Sequence, residues 1–254
     1  IRGVSFEVLS DGQAAQILDD ISSPSQNQDA VILEKAPKIA VYSPKGNQPW
    51  DDAVTMVLTY AEIPYTTIYD TEVLGDKLAL YDWLHLHHED FTGQYGRFYG
   101  HYRAAPWYIE DKANAEALAQ SLGYSKVSDE KLAVALKIRN YVIGGGFMFA
   151  MCSATDSFDI ALAAEGVDIC EPMFDGDPSD ANYQSKLDFS NTFAFTNFTL
   201  ERNPIRYEFS SIDMTNKRAN VPKESDYFSL MEFSAKWDPV PTMLTQNHTS
   251  LVKG

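Results

Sequence analysis

The stretch Gly144–Ala164, GGGFMFAMCSATDSFDIALAA, decides the fold class of this chain. The apolar run Phe147–Met151 predicts a strand, and the residues after Cys152 place apolar side chains on one helical face. Cys152 then lies at a sharp strand-to-helix turn, where the residues two before and two after must be small because the backbones crowd there. Those residues are Ala150 and Ala154, so the sequence predicts a turn that can present a thiol.

Strands and helices alternate upstream of this turn. Apolar runs at Lys38–Tyr42, Tyr65–Tyr69 and Trp83–Leu86 predict strands, and helical spacing predicts helices between them. Such alternation is typical of βαβ units with parallel strands. We therefore predict a single α/β domain over residues 1–254, with three layers and a mostly parallel sheet flanked by helices. Aromatic residues and weak helix signals predict that residues 172–254 are a β- and loop-rich part of the same domain.

The charge balance excludes several classes of partner. The chain has 36 acidic and 20 basic side chains, a formal net charge of −16, whereas nucleic acids and anionic membranes attract clustered Lys and Arg. Its longest mostly apolar run, Tyr141–Cys152, is shorter than the ~20 residues of a membrane span. We expect no nucleic acid partner, no membrane span in this chain, and a small molecule or a protein as the partner. The strand-like start without an initiator Met suggests a fragment of a longer precursor.

A group of titratable residues follows the strand predicted at 83–86. His87, His88, Glu89 and Asp90 come at its carboxyl end, the edge where open α/β sheets bind ligands. Two interpretations stay open. His87, His88 and Glu89 can coordinate a divalent metal that activates water, with Asp90 beside them. Alternatively, the four side chains form a hydrogen-bonded polar rim around a cleft.

GGGFMFAMCSATDSFDIALAA resembles the nucleophile segment of the class I glutamine amidotransferase-like superfamily, in which a Gly-rich turn leads into a strand, a Cys and a helix. The runs KIAVYSPKGNQPWDDAV, YDWLHLHHEDFTGQYGRFY and WDPVPTMLTQNHT resemble a Bacteroidota family labelled asparagine synthetase B, so this likeness covers nearly the whole chain. The resemblance implies a flavodoxin-like sheet and a periplasmic or cell-envelope location. It also implies site residues: Cys152 and His248 as the catalytic pair, and His88, Glu89, Asp90, Ser153 and Asp156 around the cleft and oxyanion region.

The chain also departs from the superfamily pattern. Ser250 stands where the acid that orients the late histidine is found, and Ala flanks Cys152 in place of Gly. ATP-dependent asparagine synthesis is not expected, because neither a Ser-Gly-Gly pyrophosphate loop nor an N-terminal Cys is present. The predicted function is a Cys-dependent hydrolase of a small amide, with the substrate unassigned. The alternatives are a non-catalytic scaffold domain of a cell-envelope assembly and a metal-assisted hydrolase. No cofactor is predicted, apart from a divalent metal in the last alternative.

Overall fold

The structure, a computed structural model, describes residues 7–23, 36–44 and 53–214. Four short strands form one sheet in which every pairing is parallel, and their order is β2-β1-β3-β4. The sequence prediction of a mostly parallel α/β sheet is confirmed. The strands are β1 (Ile39–Tyr42), β2 (Tyr65–Ile68), β3 (Trp83–Leu86) and β4 (Phe147–Ala150).

The helices alternate with these strands, as the sequence pattern predicts. The helix after residue 126 begins at Val127, and Lys126 is the residue that precedes its first turn. The strand predicted around residues 4–8 lies mostly outside the described residues. No helix in the described ranges has both the length and the apolar character to cross a bilayer. The helices are α1 (Asp11–Ile21), α2 (Ala53–Tyr60), α3 (Asp70–Leu74), α4 (Tyr99–Tyr102), α5 (Pro106–Ser121), α6 (Val127–Ile143), α7 (Ala154–Ala163), α8 (Pro172–Asp175) and α9 (Tyr183–Lys186).

Helices pack on both faces of the sheet. The largest apolar cluster joins Leu84 and Leu86 of β3 to the inner sides of α6 and α7. On the opposite face, Leu58 of α2 covers the side of the sheet that β1 forms. The β4 side of that face is exposed in the described part of the chain, since Phe147 and Phe149 keep 56% and 45% of their surface accessible.

Residues 172–214 pack against α7 through a second apolar cluster. Apart from short helical turns, this part of the chain has little regular secondary structure in the described ranges. Its β structure, however, is limited within the described residues to one antiparallel bridge between Leu200 and Ser210. The remainder of the predicted β-rich part, residues 215–254, lies outside the described residues.

Arg97 connects the loop after β3 to residues 201–206 of this C-terminal part through hydrogen bonds. Its guanidinium is buried and donates to the main-chain carbonyls of Glu201, Asn203 and Arg206, at 3.0, 2.6 and 3.2 Å. A fourth hydrogen bond, 2.7 Å long, reaches the side-chain carbonyl of Gln94. The buried guanidinium is therefore well satisfied, and it holds the loop in a fixed place beside the carboxyl end of the sheet.

Candidate active site

Cys152 occupies a tight turn between β4 and α7. β4 ends at Ala150 and α7 begins at Ala154, and the backbone of Cys152 has a φ of 53°. A positive φ is uncommon for a residue with a β-carbon and marks a position that the surrounding structure holds in place. Ala154 is completely buried, so a larger side chain there would clash with the core. Cys152 itself is half-buried, which leaves part of its surface accessible.

The end of β3 runs directly beside this turn. Leu86 pairs with Ala150, and the next main-chain N–H along β4, that of Met151, donates to the Leu86 carbonyl at 3.0 Å. Past the strands, the Ser153 hydroxyl donates to the His88 carbonyl at 2.7 Å. The β3 and β4 chains therefore stay neighbours beyond the sheet, and residue 88 lies beside the turn at 152–153.

The two histidines after β3 contact each other through their rings. Nδ1 of His88 lies 3.0 Å from Nδ1 of His87, and the rings meet edge to face with centroids 4.7 Å apart. His87 is buried and His88 is half-buried. The Glu89 carboxylate accepts the main-chain N–H of His87 at 2.8 Å, and the Ser157 hydroxyl of α7 donates to the Glu89 carbonyl at 2.9 Å. The segment is thus tied to the first turns of α7.

Asp90 shapes the loop that follows. One of its oxygens accepts the main-chain N–H and the hydroxyl of Thr92, at 2.7 and 2.6 Å, and the other accepts the N–H of Gly96 at 2.9 Å. Such bonds from an aspartate to the backbone just beyond it stabilise turns. We assign this carboxylate a structural role in the 90–97 loop, although the sequence pattern places it in the cleft.

The two aspartates of α7 differ in their environment. Asp159 accepts the main-chain N–H groups of residues 193, 194 and 195, at 2.9, 2.7 and 2.9 Å. Asp156 is completely buried, and neither of its oxygens has a hydrogen-bond donor at bonding geometry in the described ranges. Burial, reinforced by the negative charge of Asp213, raises the pKa of Asp156 to about 8. Its carboxyl is therefore mostly neutral near pH 7 and does not repel a thiolate at Cys152.

The other cysteine lies in a different environment. The Cys170 thiol is buried and donates to the Thr92 carbonyl at 3.2 Å, and burial raises its pKa well above the ordinary value. Within the described residues, the one trio of side chains that converges closely enough to hold a metal is formed by Asp168, Cys170 and Asp175. The ammonium of Lys126 already contacts both carboxylates of this trio, at 2.8 and 3.1 Å. The Lys126 ammonium thus already provides, at this trio, the positive charge that a metal ion would bring.

The carboxyl ends of β1 and β2 are filled by a buried polar cluster that the sequence pattern does not reveal. The Lys131 ammonium of α6 donates to the Tyr42 hydroxyl, the Tyr69 hydroxyl and the Asp70 carboxylate, at 3.0, 3.2 and 2.6 Å. Tyr42 in turn donates to Asp70. Burial lowers the pKa of Lys131, but Tyr69 and Asp70 outweigh burial and raise it above its ordinary value. The ammonium keeps its charge and uses all three protons.

These residues lie along the carboxyl edge of the sheet, which has a β1–β2 half and a β3–β4 half. Ser153 and Ser157 bond to the main chain of residues 88 and 89 at the β3–β4 half, so the turn at Cys152 lies at the edge where parallel strands are expected to end together. The β1–β2 half is closed by the Lys131 cluster. His248 lies outside the described residues. His87, His88 and Glu89 are not among the converging trio in the described ranges, so their metal site stays a prediction.

Comparison of the chain with protein-family models, with curated proteins and with solved structures finds no match. The resemblance to the amidotransferase-like superfamily therefore remains an expectation that rests on the motif residues.

Proposed function

We propose that this chain is a class I glutamine amidotransferase-like domain that uses the thiol of Cys152 as a nucleophile on a small amide. The observation that carries the proposal is the half-buried Cys152 with φ 53°, placed between the end of a parallel strand and the first turn of α7. This backbone geometry is the one that nucleophile turns require. The order β2-β1-β3-β4 supports the proposal, because flavodoxin-like sheets begin with the same four strands.

The surroundings of the thiol favour its reaction with a carbonyl carbon. The N-terminus of α7 carries a partial positive charge, which stabilises a thiolate close to it. The main-chain N–H of Ser153 belongs to this helix start, and the N–H that follows the nucleophile is the usual donor to the oxyanion. In the reaction, the thiol proton passes to a histidine nitrogen while sulfur bonds to the carbonyl carbon. The amine leaves with that proton, and water then converts the thioester into a carboxylic acid and the free thiol.

The position of the thiol also restricts the substrate. The Lys131 cluster closes the β1–β2 half of the edge, and the Arg97 contacts hold the 90–97 loop beside the other half. A substrate therefore approaches over the β3–β4 half, between residues 87–90 and the turn at Cys152. The histidine that accepts the proton is predicted from the sequence to be His248.

A second candidate function is a non-catalytic scaffold domain. The exposed aromatic side chains Phe147 and Phe149 on β4 favour it, because large apolar surfaces of this kind often contact another protein. A scaffold needs no reactive thiol at position 152. The two functions are therefore separated by the chemistry of Cys152. A cell-envelope location is compatible with both and remains an expectation from the resemblance.

Thiol labelling tests the proposed function. We expect iodoacetamide to alkylate Cys152 near pH 7 at least about 100-fold faster than Cys170, because Cys170 is buried with a raised pKa and Cys152 is accessible beside a helix N-terminus. Peptide mapping by mass spectrometry assigns each site. Cys152→Ser should remove the fast reaction together with any release of ammonia from glutamine and other small amides. Cys170→Ala is the matched control and should keep both. A Cys152 that reacts no faster than Cys170 would overturn the proposal.

A further inference from the structure

Ser153 uses its side chain in an unusual way for a residue at the start of a helix. A serine in this position commonly accepts a main-chain N–H of the first turn through its hydroxyl oxygen. The Ser153 side chain makes no such bond to α7, and its hydroxyl donates to the main-chain carbonyl of His88 at 2.7 Å. Ser153 is only 5% exposed, so this bond is shielded from water. The hydroxyl therefore joins the two chains that leave the sheet.

This bond continues the register of the β3–β4 ladder beyond the two strands. The N–H of Met151 donates to the Leu86 carbonyl at 3.0 Å, and the donors of a parallel ladder recur every two residues. Two residues further along each chain lie Ser153 and the carbonyl of His88. That carbonyl accepts the Ser153 hydroxyl, so the side chain occupies the place that the main-chain N–H takes in a continued strand.

The left-handed backbone of Cys152 explains the exchange. Its φ of 53° ends the extended conformation between Met151 and Ser153, so the Ser153 N–H no longer continues the ladder. Cys152 is bracketed by two bonds to the same neighbouring chain, one from Met151 and one from Ser153. A backbone conformation of this kind persists only where the surrounding structure holds it. The hydroxyl of Ser153 supplies one of the two bonds that do so.

We infer that Ser153 is the positioning residue of the site: its hydroxyl holds the turn at Cys152 to the segment after β3 and leaves the Ser153 N–H for the oxyanion of the substrate. This inference rests on the proposed function and deepens it. An N–H stabilises an oxyanion when it is fixed in direction before the reaction and is not engaged elsewhere. The hydroxyl meets both conditions, since it occupies the carbonyl of the ladder and anchors the residue that carries the N–H.

Two reagents separate this role from the reactivity of the thiol itself. The sulfur of Cys152 attacks the carbonyl carbon of p-nitrophenyl acetate, negative charge develops on the carbonyl oxygen, p-nitrophenolate leaves and a thioester remains. With iodoacetamide the sulfur attacks the methylene carbon, iodide leaves and no oxyanion forms. A residue that positions an oxyanion donor must therefore affect acylation more than alkylation.

The test compares the two rates in the full chain near pH 7, with peptide mapping by mass spectrometry to assign the site. In Ser153→Ala we expect acylation of Cys152 to slow at least about 10-fold, where complete loss of an oxyanion donor costs about 10²–10³-fold. Alkylation should change by about 2-fold or less, because the thiolate stays beside the start of α7. Ser153→Thr keeps the hydroxyl and should keep most of the acylation rate.

Ser157→Ala is the matched control. Ser157 is also a buried serine of α7, and its hydroxyl donates to the Glu89 carbonyl of the same segment at 2.9 Å. This variant should leave the ratio of acylation to alkylation unchanged. Circular dichroism and continued protection of Cys170 verify folding, and Ser153→Gly serves as a second variant without the hydroxyl.

Each other outcome has a definite meaning. If the two reactions slow equally in the folded Ser153→Ala and Ser153→Gly proteins, or if neither slows, the inference is overturned and the proposed function stands. An equal loss of acylation in Ser157→Ala or in folded Ser153→Thr also overturns it. A wild-type Cys152 that is acylated and alkylated no faster than Cys170 overturns the proposed function and the inference together.

Discussion

Replacing Lys131 with methionine is expected to lower the free energy of unfolding by about 3–5 kcal/mol, because it leaves the buried Asp70 carboxylate without its counter-ion. The side chains of Lys131 and Asp70 are only 8% and 1% exposed, so water cannot replace the lost contact. The hydroxyls of Tyr42 and Tyr69 lose the same ammonium. Urea unfolding at neutral pH, followed by circular dichroism, measures the change.

An exposed ion pair on the same helix provides the matched control. Lys137 pairs with Asp76, and these side chains are 39% and 76% exposed. We expect Lys137→Met to change the free energy of unfolding by about 1 kcal/mol or less, since solvent screens such pairs. The double variant Lys131→Met with Asp70→Asn should recover part of the loss, because neither member of the buried ion pair is then charged. A cost for Lys131→Met equal to that of Lys137→Met would contradict the assigned role of the cluster.

Much of the fold was accessible from the sequence because its strands are short apolar runs bounded by helix and turn signals. Trp83–Leu86 matches β3, and Lys38–Tyr42 differs from β1 by one residue. The region after residue 170 was harder to predict. Aromatic residues there suggest strands, but in residues 172–214 several of them pack in the apolar cluster against α7, and the one bridge joins Leu200 to Ser210. Composition alone does not distinguish these two uses of an aromatic residue.

The site was predictable to the extent that it follows from topology. Parallel strands end at one edge, so the turn at Cys152 and the segment 87–90 had to lie at the same edge once both strands were recognised. The Lys131 cluster was missed because its signal is a single charge at helical spacing from Val134 and Ile138. That spacing places Lys131 on the buried face, whereas the neighbouring Leu132 is half-buried.

The roles of the two α7 aspartates could not be read from the sequence either. Both sit early in the helix, where a carboxylate is favourable, and spacing gives no reason to separate them. Their partners come from distant parts of the chain. Asp159 receives three N–H groups from residues 193–195, whereas Asp156 faces the acids Asp213 and Asp90. The packing of the C-terminal part on α7 therefore decides the two roles. It gives Asp159 three N–H donors and leaves Asp156 as a buried neutral acid.

Asp156→Asn is expected to stabilise the protein at alkaline pH, by about 2–5 kcal/mol near pH 8. The pKa of Asp156 is raised from 3.8 to about 8 by burial and by the charge of Asp213, so the folded state binds its proton more tightly than the unfolded state. The contribution of this group to stability is therefore complete below about pH 4 and is lost as the pH rises through about 8. Asparagine keeps the neutral state at every pH. The gain over wild type should grow from near zero at about pH 4 to its full size at about pH 8.

The measurement is the difference in unfolding free energy between variant and wild type at several pH values. This difference isolates Asp156, because burial also raises the pKa of Glu130 and adds its own slope to both proteins. Asp159→Asn is the matched control on the same helix. We expect it to destabilise the protein by about 1–3 kcal/mol at each pH, since an amide cannot accept all three N–H groups of residues 193–195. If Asp156→Asn instead lowers stability at alkaline pH, the carboxylate is ionised and compensated by a cation, and the neutral acid assigned beside Cys152 is wrong.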